Sequence, residues 1–162
     1  MLPKVYVETS VISYLVARRN QRDLLVAANQ ELTHEWWETR RRSFELYASA
    51  VVLAEAARGD QTFAAARLAI ARELTLVEVS APALALAQAL LQSAGLPSKA
   101  NEDALHIAVA STGGLDYLLT WNCKHIANAV IIPRVNEVVR RHGYEPPLIY
   151  TPQQLMEDSS DA

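Results

Sequence analysis

The sequence predicts an α/β protein in which helices cover both faces of a parallel sheet. Short apolar runs alternate along the chain with longer segments that have helical periodicity. These runs are apolar throughout rather than alternately polar, which is typical of strands buried on both faces. With 162 residues and 51% hydrophobic composition, the chain is long enough for one domain with one substantial core.

The individual elements follow from the apolar runs and from helix-ending residues. We expect strands at residues 5–7, 44–48, 74–79 and 117–121, a further short strand at 130–133 and an extended segment at 148–150. We expect helices from residue 11 onward and at residues 24–42, 50–58, 61–73, 82–94, 102–112 and 133–142. Each of the five glycines follows a helical stretch, where glycine commonly ends a helix.

The composition excludes several classes of protein. One cysteine cannot form an internal disulfide, so we expect a cytoplasmic protein, and we predict neither a signal peptide nor a membrane-spanning helix. A net charge of −3 argues against binding of nucleic acid over the whole surface, and such binding would need a local basic patch. No linker or repeat divides the chain, so we expect one domain over 1–156 and a flexible acidic tail over 157–162.

Polar side chains near the ends of the predicted strands are the candidates for a functional site. Ligands of parallel sheets bind beyond the carboxyl ends of the strands. Glu8 directly follows the first strand, and Asn122 follows a later one. Glu55 lies in an otherwise apolar helical stretch, and Asp103 lies in the first turn of a later helix. We therefore expect these four side chains at one edge of the sheet.

Each candidate also has a purely structural explanation. Glu8 and Asp103 lie where the N-terminus of a helix favours negative charge, and Asn122 suits a turn. Glu55 could pair with Arg58, which lies three residues further along the same helical stretch. Taken singly, these positions do not distinguish a structural role from a functional one.

Other residues in the same segments receive mainly structural interpretations. His106 shares a helical face with Asp103, and we expect it to be a hydrogen-bonded group that at most supports a ligand. Cys123 and His125 lack a third orienting group, which argues against nucleophilic thiol catalysis. A phosphate-contacting rim could be formed by Arg18, Arg19, Arg22, Arg40, Arg41, Arg42 and Lys124. A solvated helix end explains residues 40–42 more simply.

Three carboxylates and an amide at one edge of a sheet indicate a bound cation. Clustered carboxylates repel one another, and Mg²⁺ or Mn²⁺ relieves that repulsion through oxygen ligands of this kind. Such a cation lowers the pKa of a bound water and stabilises charge on a phosphodiester, which points to metal-assisted phosphodiester hydrolysis. One cysteine and four scattered histidines do not supply a zinc ligand set.

Four segments of the chain carry a family resemblance. They are VYVETSVIS, VLAEAARGD, EDALHIAVA and LLTWNCKHIANA, and the last two are the most specific. Together they resemble the PIN domain, in particular the VapC-like PIN proteins that are toxins of type II toxin–antitoxin modules. The resemblance extends from residue 5 to about 156. It implies a three-layer α/β/α sandwich with a central parallel sheet and a ribonuclease that depends on Mg²⁺ or Mn²⁺.

The resemblance also implies the roles of individual residues. The family's Asp after the first strand, mid-chain Glu, helical Asp and Asp after the fourth strand correspond to Glu8, Glu55, Asp103 and Asn122. Glu8 lengthens its ligand by one methylene, and Asn122 removes a charge. We expect Glu8 and Asp103 to hold the metal, while Glu55 completes the metal site or accepts a proton from the attacking water. Asn122 would orient a water or a phosphate oxygen.

The partners implied by the resemblance are RNA, an antitoxin protein and a second copy of the chain in a homodimer. The departures at Glu8 and Asn122 favour an alternative, a catalytically weak or inactive PIN-like module that binds RNA or protein. A receiver-like module that accepts a phosphoryl group would need paired acids after the first strand, and VYVETS supplies only one.

Overall fold

The structure, a computed structural model, describes residues 1–156, so the expected tail at 157–162 lies outside the described residues. All neighbouring strands pair in parallel, and the sheet has five strands in the order β3-β2-β1-β4-β5. The strands are β1 (Lys4–Val7), β2 (Glu45–Ala48), β3 (Thr75–Leu76), β4 (Tyr117–Leu119) and β5 (Leu148–Tyr150). This arrangement confirms the predicted parallel α/β fold.

Seven α-helices within residues 1–156 flank this sheet. They are α1 (Thr9–Val16), α2 (Leu24–Thr39), α3 (Ala50–Ala56), α4 (Gln61–Ala71), α5 (Ala81–Ser93), α6 (Asn101–Thr112) and α7 (Ile132–Arg141). A short 3-10 helix, Arg41–Ser43, follows α2 where one continuous helix was expected. Right-handed crossovers place α1 to α4 on one face of the sheet and α5 to α7 on the other. None of these helices is both long and apolar enough to cross a membrane.

Short polar side chains begin most of the helices. Asp23 accepts hydrogen bonds from two backbone N–H groups of the first turn of α2, and Asp60 does the same at α4. Ser49 and Ser80 cap α3 and α5 in the same manner. Each cap satisfies a backbone donor that has no partner within its helix. The caps therefore fix where each helix leaves the edge of the sheet.

The central strands supply the deepest part of the core. Val5, Tyr6 and Val7 of β1 are fully buried, as are Leu118 and Leu119 of β4. Burial of both alternating faces follows from the helical layer on each side of the sheet. At the edge, β3 spans only two residues and both are exposed, so the strand expected at 74–79 is much shorter than predicted.

The short strand expected at residues 130–133 is wrong. The side-chain oxygen of Asn128 accepts hydrogen bonds from the N–H groups of Val130 and Ile131 at 2.9 and 3.3 Å. This turn leads directly into α7, which begins at Ile132 with Pro133 in its first turn. An apolar run with a polar cap before it and proline inside it therefore forms a helix start rather than a strand.

The order of the strands reverses beside β1. The chain runs outward from β1 to β2 and β3, and then returns to the other side of β1 to build β4 and β5. Ligands of open parallel sheets bind at such a reversal, beyond the carboxyl ends of the strands. The residues that follow β1 and β4 are therefore the first place to look for a site.

Candidate active site

Glu8 leaves the carboxyl end of β1 and begins α1. Its Oε2 atom accepts a hydrogen bond of 2.6 Å from the backbone N–H of Ser10, so the carboxylate is the N-cap of the helix. Only 4% of the residue is exposed. The capping role considered from the sequence is therefore real, and it fixes the carboxylate at the switch point of the sheet.

Glu55 of α3 joins three elements at the same edge. The Thr9 hydroxyl donates to Glu55 Oε1 at 2.8 Å, and His106 Nε2 of α6 forms a close hydrogen bond with the same oxygen. The side chain of Glu55 is 21% exposed, whereas that of His106 is fully buried. The pairing of Glu55 with Arg58 that the spacing suggested is wrong, because Glu55 turns inward to this histidine.

A buried chain of hydrogen bonds extends behind Glu55. His106 Nδ1 lies 2.7 Å from the Tyr6 hydroxyl, which lies 2.7 Å from Ser49 Oγ. Tyr6 is a core residue of β1, and Ser49 is the N-cap of α3. His106 is thus the hydrogen-bonded structural group that was expected, and its contact with Glu55 brings it directly behind the site.

The charges in this network act on one another strongly. Burial raises the pKa of Glu8, although the charge of His106 and the hydrogen bond from Ser10 oppose the rise. Burial would also raise the pKa of Glu55, but the hydrogen bond and charge of His106 outweigh burial and lower it to about 2. Burial disfavours charge on His106, yet the hydrogen bond to Glu55 and the charges of nearby carboxylates raise its pKa overall. Both shifts favour an ionised Glu55 paired with a protonated His106.

Asp103 lies at the centre of a second cluster at the same edge. Its Oδ1 atom accepts from Asn122 Nδ2 at 3.0 Å, and its Oδ2 atom lies 2.8 Å from His125 Nδ1. Asn122 Oδ1 in turn accepts the backbone N–H of His125 at 3.0 Å. The structure therefore brings Asp103 and Asn122 into direct contact, although they are far apart in the sequence.

His125 is the residue of this cluster that the sequence interpretation missed. It had been weighed only as a partner of Cys123, and that cysteine is exposed while His125 contacts Asp103 instead. The available signal was its position in the WNCKH segment, three residues after Asn122. That spacing is typical of a side chain whose oxygen caps the following turn.

Glu102 lies at the rim of the site beside Asp103. Arg58 of the α3–α4 turn binds both of its carboxylate oxygens, at 2.6 and 3.0 Å. This planar two-bond contact is the geometry that arginine forms with carboxylates and phosphates alike. Arg58 is 63% exposed and Glu102 is 37% exposed, so the contact lies open to solvent.

The donor chemistry of this edge suits a hard divalent cation, since Glu8, Glu55 and Asp103 offer carboxylate oxygens. All three carboxylates act electrostatically on the single imidazole of His106. As the side chains are placed, however, no group of three or more His, Cys, Asp or Glu residues within 1–156 could hold a metal ion. The four expected site residues lie at one edge, but Glu8, Glu55 and the Asp103–Asn122 pair are each held by different hydrogen-bond partners.

Fold and site together define a three-layer α/β protein with an acidic cluster at the switch point of a parallel sheet. The chain belongs to the PIN domain family, whose model matches residues 5–124. PIN domains are typically Mg²⁺-dependent nucleases. A search of curated protein sequences finds no match to the chain.

Several solved structures resemble the fold, and two of them show the extent of the likeness. One is a chain of VapBC2 from Rickettsia felis, solved with a promoter DNA fragment, at 17% identity and a TM-score of 0.58, covering 91% of this chain and 98% of that one. The other is VapC20 from Mycobacterium tuberculosis, described as a sarcin–ricin loop cleaving toxin, at 18% identity and a TM-score of 0.57. That match covers 88% of this chain and 99% of the other. At these identities the likeness establishes the fold and not the activity.

Proposed function

We propose that the protein is a divalent-cation-dependent endoribonuclease and the toxin of a type II toxin–antitoxin module. The observation that carries this proposal is that Glu8, Glu55 and Asp103 lie at the carboxyl edge of β1 and β4, where all three act on the charge of His106. Its implied partners are RNA as substrate, an antitoxin protein and a second copy of the chain. The likeness in fold to VapBC2 and VapC20 supports the same class of activity.

The chain's own residues divide the work of hydrolysis. Glu55 and Asp103, with Glu8, would hold Mg²⁺ or Mn²⁺, which when bound lowers the pKa of a water and neutralises charge on the phosphate. A carboxylate with a lowered pKa is a poor proton acceptor, so the pKa of Glu55 favours a ligand role over a general-base role. The raised pKa of Glu8 makes it the stronger base of the two.

The second cluster would orient the substrate. Asn122 and His125 hold both oxygens of Asp103, which fixes the direction of that carboxylate.

The site would act in a reducing cytoplasm, where the single exposed cysteine stays free and RNA is abundant.

Cleavage of RNA by the purified protein is expected to require a divalent cation. The experiment incubates a labelled single-stranded RNA with the protein in EDTA and across a titration of Mn²⁺ or Mg²⁺. Cleavage should be absent in EDTA and should saturate as the cation concentration rises. Without a cation, the negative carboxylates repel the negative phosphodiester. Cleavage that persists unchanged in EDTA would contradict the proposal.

A catalytically weak module that binds RNA or protein is the second candidate. It is favoured by the lack of any convergent group of three ligands within residues 1–156. Asn122 also favours the second candidate. Its amide donates a hydrogen bond to Asp103, so the two side chains are stable together without a cation between them. The two candidates differ in whether the edge binds a cation at all.

The variant Asn122→Asp separates these candidates. It removes the donor that contacts Asp103 and places two carboxylates together, so the free energy of unfolding in EDTA should fall by about 1–3 kcal/mol. If the edge binds cations, Mn²⁺ should restore the melting temperature by binding the folded state. Asn128→Asp, at the α7 turn, is the matched control and should show no such response. An equal response of both variants to Mn²⁺ would refute a cation site here.

A further inference from the structure

A cavity of about 640 Å³ opens between α1 and α4. It is formed by α1 on one side and by the α3–α4 turn and α4 on the other. The side chains that give it chemical character are Arg18, Arg58, Arg67 and Phe63. The sequence interpretation considered only Arg18 of these residues, as part of a phosphate-contacting rim, and the proposed hydrolysis assigns no role to the cavity.

The cavity adjoins the acidic site through two elements. Ser13 of α1 lines it and lies one helical turn after Thr9, whose hydroxyl donates to Glu55. Arg58 also lines it, and its guanidinium binds Glu102 at the rim of the site. A chain bound at the acidic site therefore needs only a short extension to enter the cavity.

Phe63 presents an aromatic ring to this cavity. Phe63 is half-buried, and it is not part of the hydrophobic core formed by the described residues. The guanidinium of Arg18 lies over this ring, 5.7 Å from its centre. An aromatic ring beside an arginine and away from the core is the arrangement on which unpaired nucleobases stack.

The charge of the cavity is positive, although the whole chain carries −3. Its lining has three arginines and one acid, Asp60, whose carboxylate is occupied as the N-cap of α4. Arg67 donates to the backbone oxygens of Ala56 and Arg58, which fixes the turn that carries Arg58. Arg18 and Arg58 are both exposed and can reach a ligand. This is the local basic patch that nucleic-acid binding by an acidic protein requires.

We propose that this cavity is a nucleotide subsite for single-stranded RNA. It holds one nucleotide next to the scissile phosphodiester. The base stacks on Phe63 in place of the Arg18 guanidinium, which turns to bind the adjoining phosphate together with Arg58. The guanidinium of Arg58 can donate to two phosphate oxygens in the geometry it now uses for Glu102. An arriving phosphate therefore exchanges with that carboxylate. The inference rests on the proposed function, because it assigns part of the same substrate. An acidic protein segment would use the arginines but would leave the face of Phe63 unexplained.

The test measures binding rather than cleavage. The full-length protein is titrated into a fluorescently labelled short oligoadenylate in EDTA, and anisotropy reports the affinity. A labelled abasic ribose–phosphate strand of the same length is titrated in parallel. Phe63→Leu should weaken binding of oligoadenylate about five-fold or more and leave the abasic strand unaffected, because only the former has bases to stack. Arg18→Gln should weaken binding of both strands, and Arg141→Gln, which removes an exposed arginine from α7, should weaken neither.

The outcomes separate this inference from the proposed function. If wild-type protein shows no cleavage with Mn²⁺ but Phe63-dependent binding persists, the nuclease is refuted and the subsite stands. If cleavage occurs but Phe63→Leu changes neither the KM nor the affinity for oligoadenylate, the subsite alone is refuted. Binding of a labelled oligoglutamate that depends on Arg18, with none of oligoadenylate, would also overturn the inference in favour of an acidic protein partner. Matching melting temperatures of all variants exclude misfolding as the cause.

Discussion

Replacing Asp103 by Asn should lower the rate of cation-stimulated RNA cleavage by at least about 100-fold. The substitution removes one of the carboxylates proposed to hold the cation and keeps the size of the side chain. It also replaces one of the two carboxylate oxygens with an NH2 group, so Asn122 Nδ2 and His125 Nδ1 can no longer both donate to this side chain. The measurement is kcat for a labelled RNA at saturating Mn²⁺, with the melting temperature of the variant determined alongside.

Asp116→Asn is the matched control for this prediction. Asp116 precedes β4, at the opposite edge of the sheet, and its side chain accepts the backbone N–H of Lys4 at 2.8 Å. An amide oxygen can accept the same hydrogen bond, so the variant should fold and cleave RNA as the wild type does. A loss of activity in Asp116→Asn equal to that in Asp103→Asn would show that the effect is not specific to the acidic edge.

The location of the candidate site could be predicted from the sequence because it depends on the topology of the sheet. Strands that are apolar throughout predict a parallel sheet, and parallel strands have their carboxyl ends at one edge. Glu8 follows β1 directly and Asn122 lies in the turn after β4, so their common position needed no knowledge of side-chain packing. Asp103 and His106 share a face of α6 by helical periodicity alone.

The partners of the site residues could not be predicted, because they are set by packing between elements that are distant in the sequence. The spacing allowed Arg58 as a partner of Glu55, since the two lie one helical turn apart. In the fold, α6 brings His106 against Glu55 and Glu102 against Arg58. An ion pair within one helix stabilises it by only a few tenths of a kcal/mol. Such a pair is readily replaced when the fold offers a charge-assisted hydrogen bond with better geometry.

The identity of Asp103's second partner illustrates the same limit. His125 reaches Asp103 only because the turn after β4 folds back, and the side chain of Asn122 holds that turn through the N–H of His125. Sequence spacing identified Asn122 as a turn residue and as a site residue, and treated these as alternatives. In the structure its amide makes two contacts at once, with Oδ1 holding the turn and Nδ2 donating to Asp103.

Replacing His106 by Ala should lower the free energy of unfolding by about 3–5 kcal/mol, because it removes a fully buried ring that is hydrogen-bonded to both Glu55 and Tyr6. The ring is fully buried, so its loss also leaves a cavity among α3, α6 and β1. Glu55 loses the donor that lowers its pKa, and the Tyr6 hydroxyl keeps only Ser49 as a partner. Chemical denaturation at neutral pH measures the change.

Two further variants show whether this loss comes from the hydrogen-bond chain or from the size of the ring. His34→Ala, at a half-buried position of α2, should change stability by only about 0.5 kcal/mol or less. Tyr6→Phe breaks the chain without opening a cavity, and its cost should not add to that of His106→Ala in the double variant, because both act on one network. Additive costs would mean that Tyr6 and His106 stabilise the fold independently and that packing alone holds the imidazole behind Glu55. Coupled costs would instead tie the position of Glu55 to a network anchored in the central strand of the sheet.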